Sequence, residues 1–193
     1  WSLGNRLLEG IKNLMLKKSS TALIVIDVQG KLARIMQNAD EYVANMRKLI
    51  RGAKVLNIPI IWTEQLPEKL GETIPEIADL LDGQKPFIKK EFSCWRDSDI
   101  QSALKNTGAT QILVSGIETH VCVYQTAVDL LEAEYEVQVV ADAVSSRTSF
   151  NRDMGLDKII LNGGSQTSVE TALFELQEIA EGNNFRELIK IIK

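Results

Sequence analysis

Thr21-Ala-Leu-Ile-Val-Ile-Asp-Val28 is a nearly continuous apolar run that carries a carboxylate close to its end. A short run without polar alternation is typical of a strand that is covered on both faces, as in a parallel sheet. Residues 43–56 then place apolar side chains at helical spacing, and residues 58–63 form a second strand-like run. Together the three segments predict one β-α-β unit.

The same alternation continues towards the end of the chain. Further strand-like runs lie at residues 87–88, 111–114, 137–141 and 166–169. Helical segments lie near residues 98–106, 119–133, 171–176 and 182–193. Because a parallel crossover needs a covering element and is right-handed, this order predicts an α/β fold with a parallel sheet and helices on both faces.

The domain organisation follows from length and composition. A chain of 193 residues can bury one substantial core, and no change in composition divides it. Apolar residues recur at helical spacing from Leu7 to Met15, which predicts an amphipathic helix within residues 1–18 ahead of a single domain at 19–193. That helix would pack on the domain or on another subunit, and we expect a homo-oligomer.

Charge and cysteine content narrow the range of partners and compartments. The net charge is -4, so no excess of Lys and Arg is present to bind nucleic acid or an anionic membrane surface. No apolar run approaches the roughly 20 residues that span a bilayer. Two cysteines, Cys94 and Cys122, are too few for a disulfide framework. We therefore expect a cytoplasmic protein with free thiols and a small-molecule substrate.

Three chemically reactive side chains follow the ends of apolar runs. Asp27 lies at the end of the first run, Lys89 follows Phe87-Ile88, and Cys122 comes shortly after the run that ends at Gly116. Ligands of open parallel sheets bind at the carboxyl ends of the strands, so the three side chains are candidates for one site. Taken singly, each also fits a structural role, as a cap, a solvated cation or a small core residue.

Cys122 is the candidate nucleophile. A helix amino terminus and a nearby ammonium both favour the thiolate that such a role needs, so we expect Cys122 to be more reactive than Cys94. The single histidine, His120, is two residues away, and positions i and i+2 of a helix face different directions. A carboxylate must then accept the thiol proton, and Asp27 is the best-placed candidate. Cys94 lies between apolar neighbours and is expected to be structural.

Other kinds of site have no matching residues. The sequence contains no Gly-x-Gly-x-x-Gly after the first strand, no Gly-x-x-x-x-Gly-Lys-Ser/Thr and no Gly-x-Ser-x-Gly. Two cysteines and one histidine are too few for a structural zinc site. We expect neither a cofactor nor a metal.

Four segments together resemble the isochorismatase-like hydrolase superfamily. They are Leu23-Ile-Val-Ile-Asp-Val-Gln29, Lys89-Lys-Glu-Phe-Ser-Cys-Trp95, Gly116-Ile-Glu-Thr-His-Val-Cys-Val123 and Val139-Val-Ala-Asp-Ala143. The similarity extends from about residue 20 to residue 178. It implies a three-layer, Rossmann-like fold around a six-stranded, mostly parallel sheet. It also implies an Asp-Lys-Cys triad formed by Asp27, Lys89 and Cys122.

The chain departs from two branches of that superfamily. Nicotinamidases carry a histidine-containing metal motif after the second strand, whereas here residues 63–71 contain no histidine. True isochorismatases lack the nucleophilic cysteine. The chain is most similar to the isochorismatase-domain-containing proteins, a branch without a settled substrate.

The resemblance implies a cysteine hydrolase that cleaves a C-N bond of a small amide or carbamoyl compound through a thioester. Asp27 would move the proton, Lys89 would stabilise the thiolate, and the N-H groups of Glu118 and Cys122 would hold the oxyanion. A cis peptide bond between Ile117 and Glu118 is expected from the family. The expected pocket walls are Gln29, Gln65, Phe92 and Trp95. A low-turnover binding or scaffold protein is the alternative, and a thiol redox protein is a third interpretation.

Overall fold

The computed structural model describes residues 15–193. The predicted amphipathic helix therefore lies outside the described residues, except for its last position, Met15. Residues 15–17 are not helical, and Leu16 lies in the core with its backbone N-H donating to Glu175 at 3.0 Å. The packed part of the chain thus begins ahead of residue 19, where the sequence placed the start of the domain.

Six parallel strands form the central sheet, which confirms the predicted fold class. In the order β3-β2-β1-β4-β5-β6 the outermost are β3 and β6. The strands are β1 (Thr21–Ile26), β2 (Ile60–Gln65), β3 (Phe87–Lys89), β4 (Gln111–Ile117), β5 (Glu136–Ser145) and β6 (Ser165–Thr167). Each neighbouring pair is parallel.

Helices cover both faces of the sheet and bury its alternating side chains. Leu23 and Val25 of β1 point into one core, whereas Ile24 and Ile26 point into the other. The helices are α1 (Gly30–Arg34), α2 (Ala39–Val55), α3 (Pro67–Leu70), α4 (Pro75–Ala78), α5 (Ser98–Asn106), α6 (Tyr124–Glu132), α7 (Ser149–Leu161), α8 (Val169–Gln177) and α9 (Gly182–Ile192). The first core contains side chains of α2, α4, α8 and α9, and the second contains those of α5, α6 and α7.

Several predicted boundaries differ from the structure. The predicted strand at 166–169 ends at Thr167, because Ser168 caps α8 by accepting the N-H of Thr171 and the helix begins at Val169. The helix predicted from residue 119 begins as a π-helical turn, Thr119–Val123, and continues as α6. Helix α7 was not predicted.

The strand order leaves a crevice beyond the carboxyl ends of the two central strands, β1 and β4. Chain connections run outward in opposite directions from β1 and β4, so the space beyond their carboxyl ends is left open. Asp27 follows β1, and the π-helical turn with Cys122 follows β4. Within residues 15–193 no helix combines the length and apolar character that crossing a bilayer requires.

Candidate active site

Asp27 is buried at the carboxyl end of β1 with both carboxylate oxygens occupied. Thr63 Oγ1 donates to Oδ1 at 2.8 Å, and Lys89 Nζ donates to Oδ2 at 2.6 Å. The residue has φ of 53°, a left-handed conformation that Asp adopts more readily than most residues. The carboxylate is thus held in one orientation as the chain leaves the sheet.

Lys89 is a buried ammonium rather than the solvated cation that a lysine usually is. Its side chain is 0% exposed, and Nζ lies within 3.2 Å of Asp27, Gln65 Oε1 and the carbonyl oxygens of Glu91 and Phe92. Burial, the largest single influence, would lower the pKa of this amine, but the charge of Asp27, the nearby cysteines and the hydrogen bond to Asp27 together outweigh it, so the pKa is raised. The charged form therefore persists in the interior.

Gln65 is held by Gln29 and connects the lysine to the thiol. Gln29 accepts the Gln65 backbone N-H at 2.7 Å and donates to the carbonyl oxygens of Gln65 and Gly71. Because an ammonium only donates, the group of Gln65 that faces Lys89 must be the amide oxygen and not the amide nitrogen. Gln29 was predicted to be a pocket wall, but it is fully buried and instead fixes the backbone beneath the site.

The surroundings of Cys122 favour the thiol, although the helix amino terminus and the nearby ammonium were expected to favour the thiolate. Its Sγ donates to Gln65 Oε1 at 3.2 Å. Burial raises the pKa of this thiol well above its ordinary range, and the charge of Asp27 raises it further. The charge of Lys89 lowers the pKa of Cys122, but this effect is smaller than the other two because the ammonium is already paired with Asp27. The cation therefore holds the carboxylate instead of creating a resting thiolate.

A cavity of about 210 Å³ opens onto Cys122. Its walls combine two carboxylates, one amide and the thiol with five apolar side chains. The lining residues are Asp27, Leu32, Gln65, Leu70, Phe92, Ile117, Glu118, Val121 and Cys122. Such a mixture, mostly apolar with a few convergent polar groups, is typical of a small-molecule site.

The predicted pocket walls divide into two groups. Gln65 and Phe92 line the cavity, as does Glu118. Trp95 does not: its ring packs edge-on against Tyr135 at 5.3 Å between centroids and lies under the Lys105 ammonium. Ser93 and Cys94 turn into the core at this point, so Trp95, the next residue, is directed towards the outer helices. Cys94 itself is fully buried, as a structural role requires.

The turn before Cys122 has the peptide geometry that the family resemblance implied. The bond between Ile117 and Glu118 is cis, so that prediction is confirmed. The Glu118 carboxylate accepts hydrogen bonds from Arg147 Nε at 3.1 Å and from the Arg147 backbone N-H at 3.2 Å. His120 hydrogen-bonds with Ser146 through Nδ1 at 3.0 Å.

Sequence reasoning missed Thr63 and four of the apolar walls. Thr63 ends the second strand-like run, and this position was a usable signal, because it is equivalent to the positions of Asp27 and Lys89. The apolar residues gave no signal, since nothing distinguishes them from core residues. They are Leu32, Leu70, Ile117 and Val121.

Alkylation is expected to select Cys122 and to accelerate with pH beyond the range of an ordinary thiol. Cys122 lines the cavity, whereas Cys94 is fully buried and burial raises its pKa to about 11. Iodoacetamide labelling, mapped by mass spectrometry, should modify Cys122 first, and its rate should still rise at about pH 10. A plateau near neutral pH would show a resting thiolate, and prior labelling of Cys94 would reject Cys122 as the nucleophile.

Thr63→Val is expected to slow any Asp27-dependent reaction while keeping the shape of the side chain. The change removes a hydrogen bond to a buried carboxylate, and such bonds contribute about 1.5–3 kcal/mol, or roughly 10-fold to 100-fold in rate. Thr63→Ser should restore the rate, and Thr167→Val, a buried threonine in β6, is the control. Equal loss in Thr63→Val and Thr63→Ser would indicate a packing role only.

No three His, Cys, Asp or Glu side chains gather in the described part of the chain as ligands of a metal ion would. The absence of a metal requirement stays a prediction, which chelation of the purified protein followed by an activity measurement would test.

Fold and site together define a three-layer α/β protein in which a cysteine, a carboxylate and an ammonium lie close together at the carboxyl ends of the parallel strands. The isochorismatase domain model matches residues 21–171. The chain belongs to the isochorismatase family.

Relatives and a solved structure agree with that assignment. Isochorismatase domain-containing protein 2 of Danio rerio is 38% identical over 184 residues, which cover 95% of this chain and 91% of that protein. The secreted isochorismatase effector Isc1 of Phytophthora sojae is 38% identical, with 90% and 85% covered. The structure of a MAR1 ribonuclease from Caenorhabditis elegans superimposes with a TM-score of 0.86 at 35% identity, covering 92% of this chain and 91% of that one.

Proposed function

We propose that this protein is a cysteine hydrolase that cleaves the C-N bond of a small amide or carbamoyl compound. What supports the proposal is a single arrangement: Cys122 and Asp27 line the same cavity, and the buried ammonium of Lys89 fixes the carboxylate. An amide carbonyl carbon placed against Sγ would meet a nucleophile and a base together.

The first half-reaction forms a thioester. The Cys122 thiol gives its proton to Asp27 as Sγ attacks the carbonyl carbon, and the backbone N-H groups of Glu118 and Cys122 hold the oxyanion. As the proton leaves, the thiolate gains the attraction of Lys89. The C-N bond then breaks, and Asp27 passes the proton to the nitrogen, so ammonia or an amine departs.

Water completes the cycle. Asp27 takes a proton from water as the oxygen attacks the thioester carbon, and the proton returns to Sγ when the C-S bond breaks. The products are one carboxylic acid and one amine or ammonia, which together equal the substrate plus one water. A thiol that begins and ends protonated agrees with the raised pKa of Cys122.

The experiment that tests the proposal searches for turnover and for the acyl-enzyme together. A panel of amides, ureides and carbamoyl compounds is screened for ammonia release, and intact mass is measured during turnover. We expect an adduct on Cys122 that is lost in Cys122→Ala and kept in Cys94→Ala. If a tightly bound compound gives neither adduct nor ammonia, the alternative of a binding or scaffold protein replaces this one.

We also propose that the protein acts in the cytoplasm as a homo-oligomer. The support for the compartment is that Cys94 and Cys122 are both free thiols and the mechanism requires reduced Cys122. The support for assembly is that Phe150 and Leu161 of α7 are 70% and 83% exposed. Light scattering on the purified protein tests the assembly, and a monomer at micromolar concentration would reject it.

A further inference from the structure

The charged side chains on the cavity wall are all of one sign. Of the described residues that line it, Asp27 and Glu118 carry carboxylates and none is Lys or Arg. Lys89 lies behind Asp27 with a side chain that is 0% exposed. Its donors are directed at Asp27, Gln65 and two backbone carbonyl oxygens, so it has no N-H left for a ligand.

Arg147, a further cation near the cavity in the described part of the chain, is also paired. Arg147 donates to Glu118 through both its side chain and its backbone N-H. The two side chains differ in exposure, with 57% for Arg147 and 10% for Glu118. Solvent therefore screens the arginine more than the carboxylate, and Glu118 lines the cavity whereas Arg147 does not.

The remaining walls are apolar and close together. Five aliphatic or aromatic residues contribute to a cavity of about 210 Å³, which has room for roughly seven water-sized groups. A bound molecule would bury hydrocarbon against these walls and offer its polar end to Cys122 and Gln65. A molecule with an anionic second end would meet no counterion among the described residues of the wall.

We propose that the substrates are neutral primary amides with a short apolar acyl group, and that Glu118 excludes anionic ones. This inference rests on the proposed hydrolase function and names its substrate class. Dicarboxylates and phosphate esters are rejected by the same carboxylate. Hydrolysis turns a neutral amide into a carboxylate, which the wall then repels, so the charge that selects the substrate also favours release of the acid.

Two alkylating reagents of nearly equal size test the charge of the cavity without any turnover. Iodoacetamide is neutral and iodoacetate is an anion, and both form the same bond from Sγ to a CH₂ group with loss of iodide. Because both react with the same thiolate, a change in the pKa of Cys122 cancels in the ratio of their rates. Glutathione in the same low-salt buffer supplies the reference ratio, and mass mapping restricts the measurement to Cys122.

The native protein should favour iodoacetamide over iodoacetate by about tenfold or more beyond glutathione, because the anionic reagent approaches the Glu118 carboxylate at short range in a low-salt buffer. Glu118→Gln should reduce this preference by about threefold or more, because it removes one carboxylate and releases Arg147. Arg147→Gln should increase it. Glu187→Gln, which breaks an exposed ion pair with Lys190 on α9, changes the net charge equally and should have no effect.

The outcomes separate this inference from the function on which it rests. A native ratio equal to that of glutathione, or equal ratios in Glu118→Gln and Glu187→Gln, would overturn the role of Glu118 even if amides are hydrolysed. Ammonia release should then be compared for hexanamide and the monoamide of adipic acid, with the neutral compound expected to be faster by about tenfold. Faster hydrolysis of the acid would overturn the substrate class, whereas hydrolysis of neither compound, with the alkylation ratio as expected, counts against the hydrolase.

Discussion

Asp27→Asn is expected to remove both the activity and a large part of the stability. Turnover should fall by about 100-fold or more, because Asn keeps the shape of Asp but accepts no proton. The free energy of unfolding should fall by about 3–5 kcal/mol, because Lys89 would remain buried without its counterion. The role of proton acceptor that the sequence predicts for Asp27 explains only the loss of activity, whereas the loss of stability follows from the buried ion pair.

A second substitution separates the two effects. In the double variant Asp27→Asn/Lys89→Met the uncompensated buried charge is gone, and an apolar side chain of similar length fills its place. Replacing a buried ion pair by apolar residues is often neutral or stabilising, so most of the lost stability should return. The activity should not, since neither the base nor the cation is present.

Urea denaturation measures the stability of these variants, and ammonia release measures their activity. Asp82→Asn removes an exposed carboxylate and is the control for both. Activity that recovers in the double variant together with stability would show that Asp27 acts only by holding the fold. Stability unchanged in Asp27→Asn would show that Lys89 is compensated by some other group.

The sequence was sufficient for the fold and for the centre of the site because both depend on local patterns. Unbroken apolar runs identified the buried strands, and their alternation with helices determined the parallel sheet. Asp27 follows β1, Lys89 ends β3 and Cys122 lies in the turn after β4. The strands are parallel, so their carboxyl ends lie on one side of the sheet and topology brings the three residues together. The structure adds the hydrogen bonds that make this proximity useful.

What the sequence could not supply is the partner of each polar group. A lysine near a cysteine predicts a thiolate, but Lys89 pairs with Asp27, and the thiol remains protonated. The sequence around Gln29 and Trp95 contains no pattern that distinguishes a pocket-lining residue from a structural one. Their positions depend on how the loops after β1 and β3 turn, and this is fixed by contacts distant in sequence, such as the one between Gln29 and Gly71.

Gly116 is a glycine near the site at which the surrounding backbone leaves no room for a side chain. It lies in β4 beside Ile26 of β1. Ile26 directly precedes Asp27, and Gly116 lies three residues before the turn that bears Cys122. An added Cβ would lie 2.1 Å from the carbonyl oxygen of Ile26, and Gly116 has φ of 116°. The contact is with backbone, so no side-chain rotation relieves it.

Gly116→Ala is therefore expected to lower the free energy of unfolding by about 4 kcal/mol or more, which combines severe overpacking with an unfavourable φ. In a chain of this size the melting temperature should fall by about 10 °C or more. Gly108→Ala is the matched control, because Gly108 also has positive φ, 71°, but an added Cβ there meets nothing within 4 Å. It should cost only about 1–2 kcal/mol, the penalty of the left-handed conformation alone. Equal losses in the two variants, measured by calorimetry, would mean that β1 and β4 separate easily at this point, and that the spacing between Asp27 and Cys122 is set elsewhere.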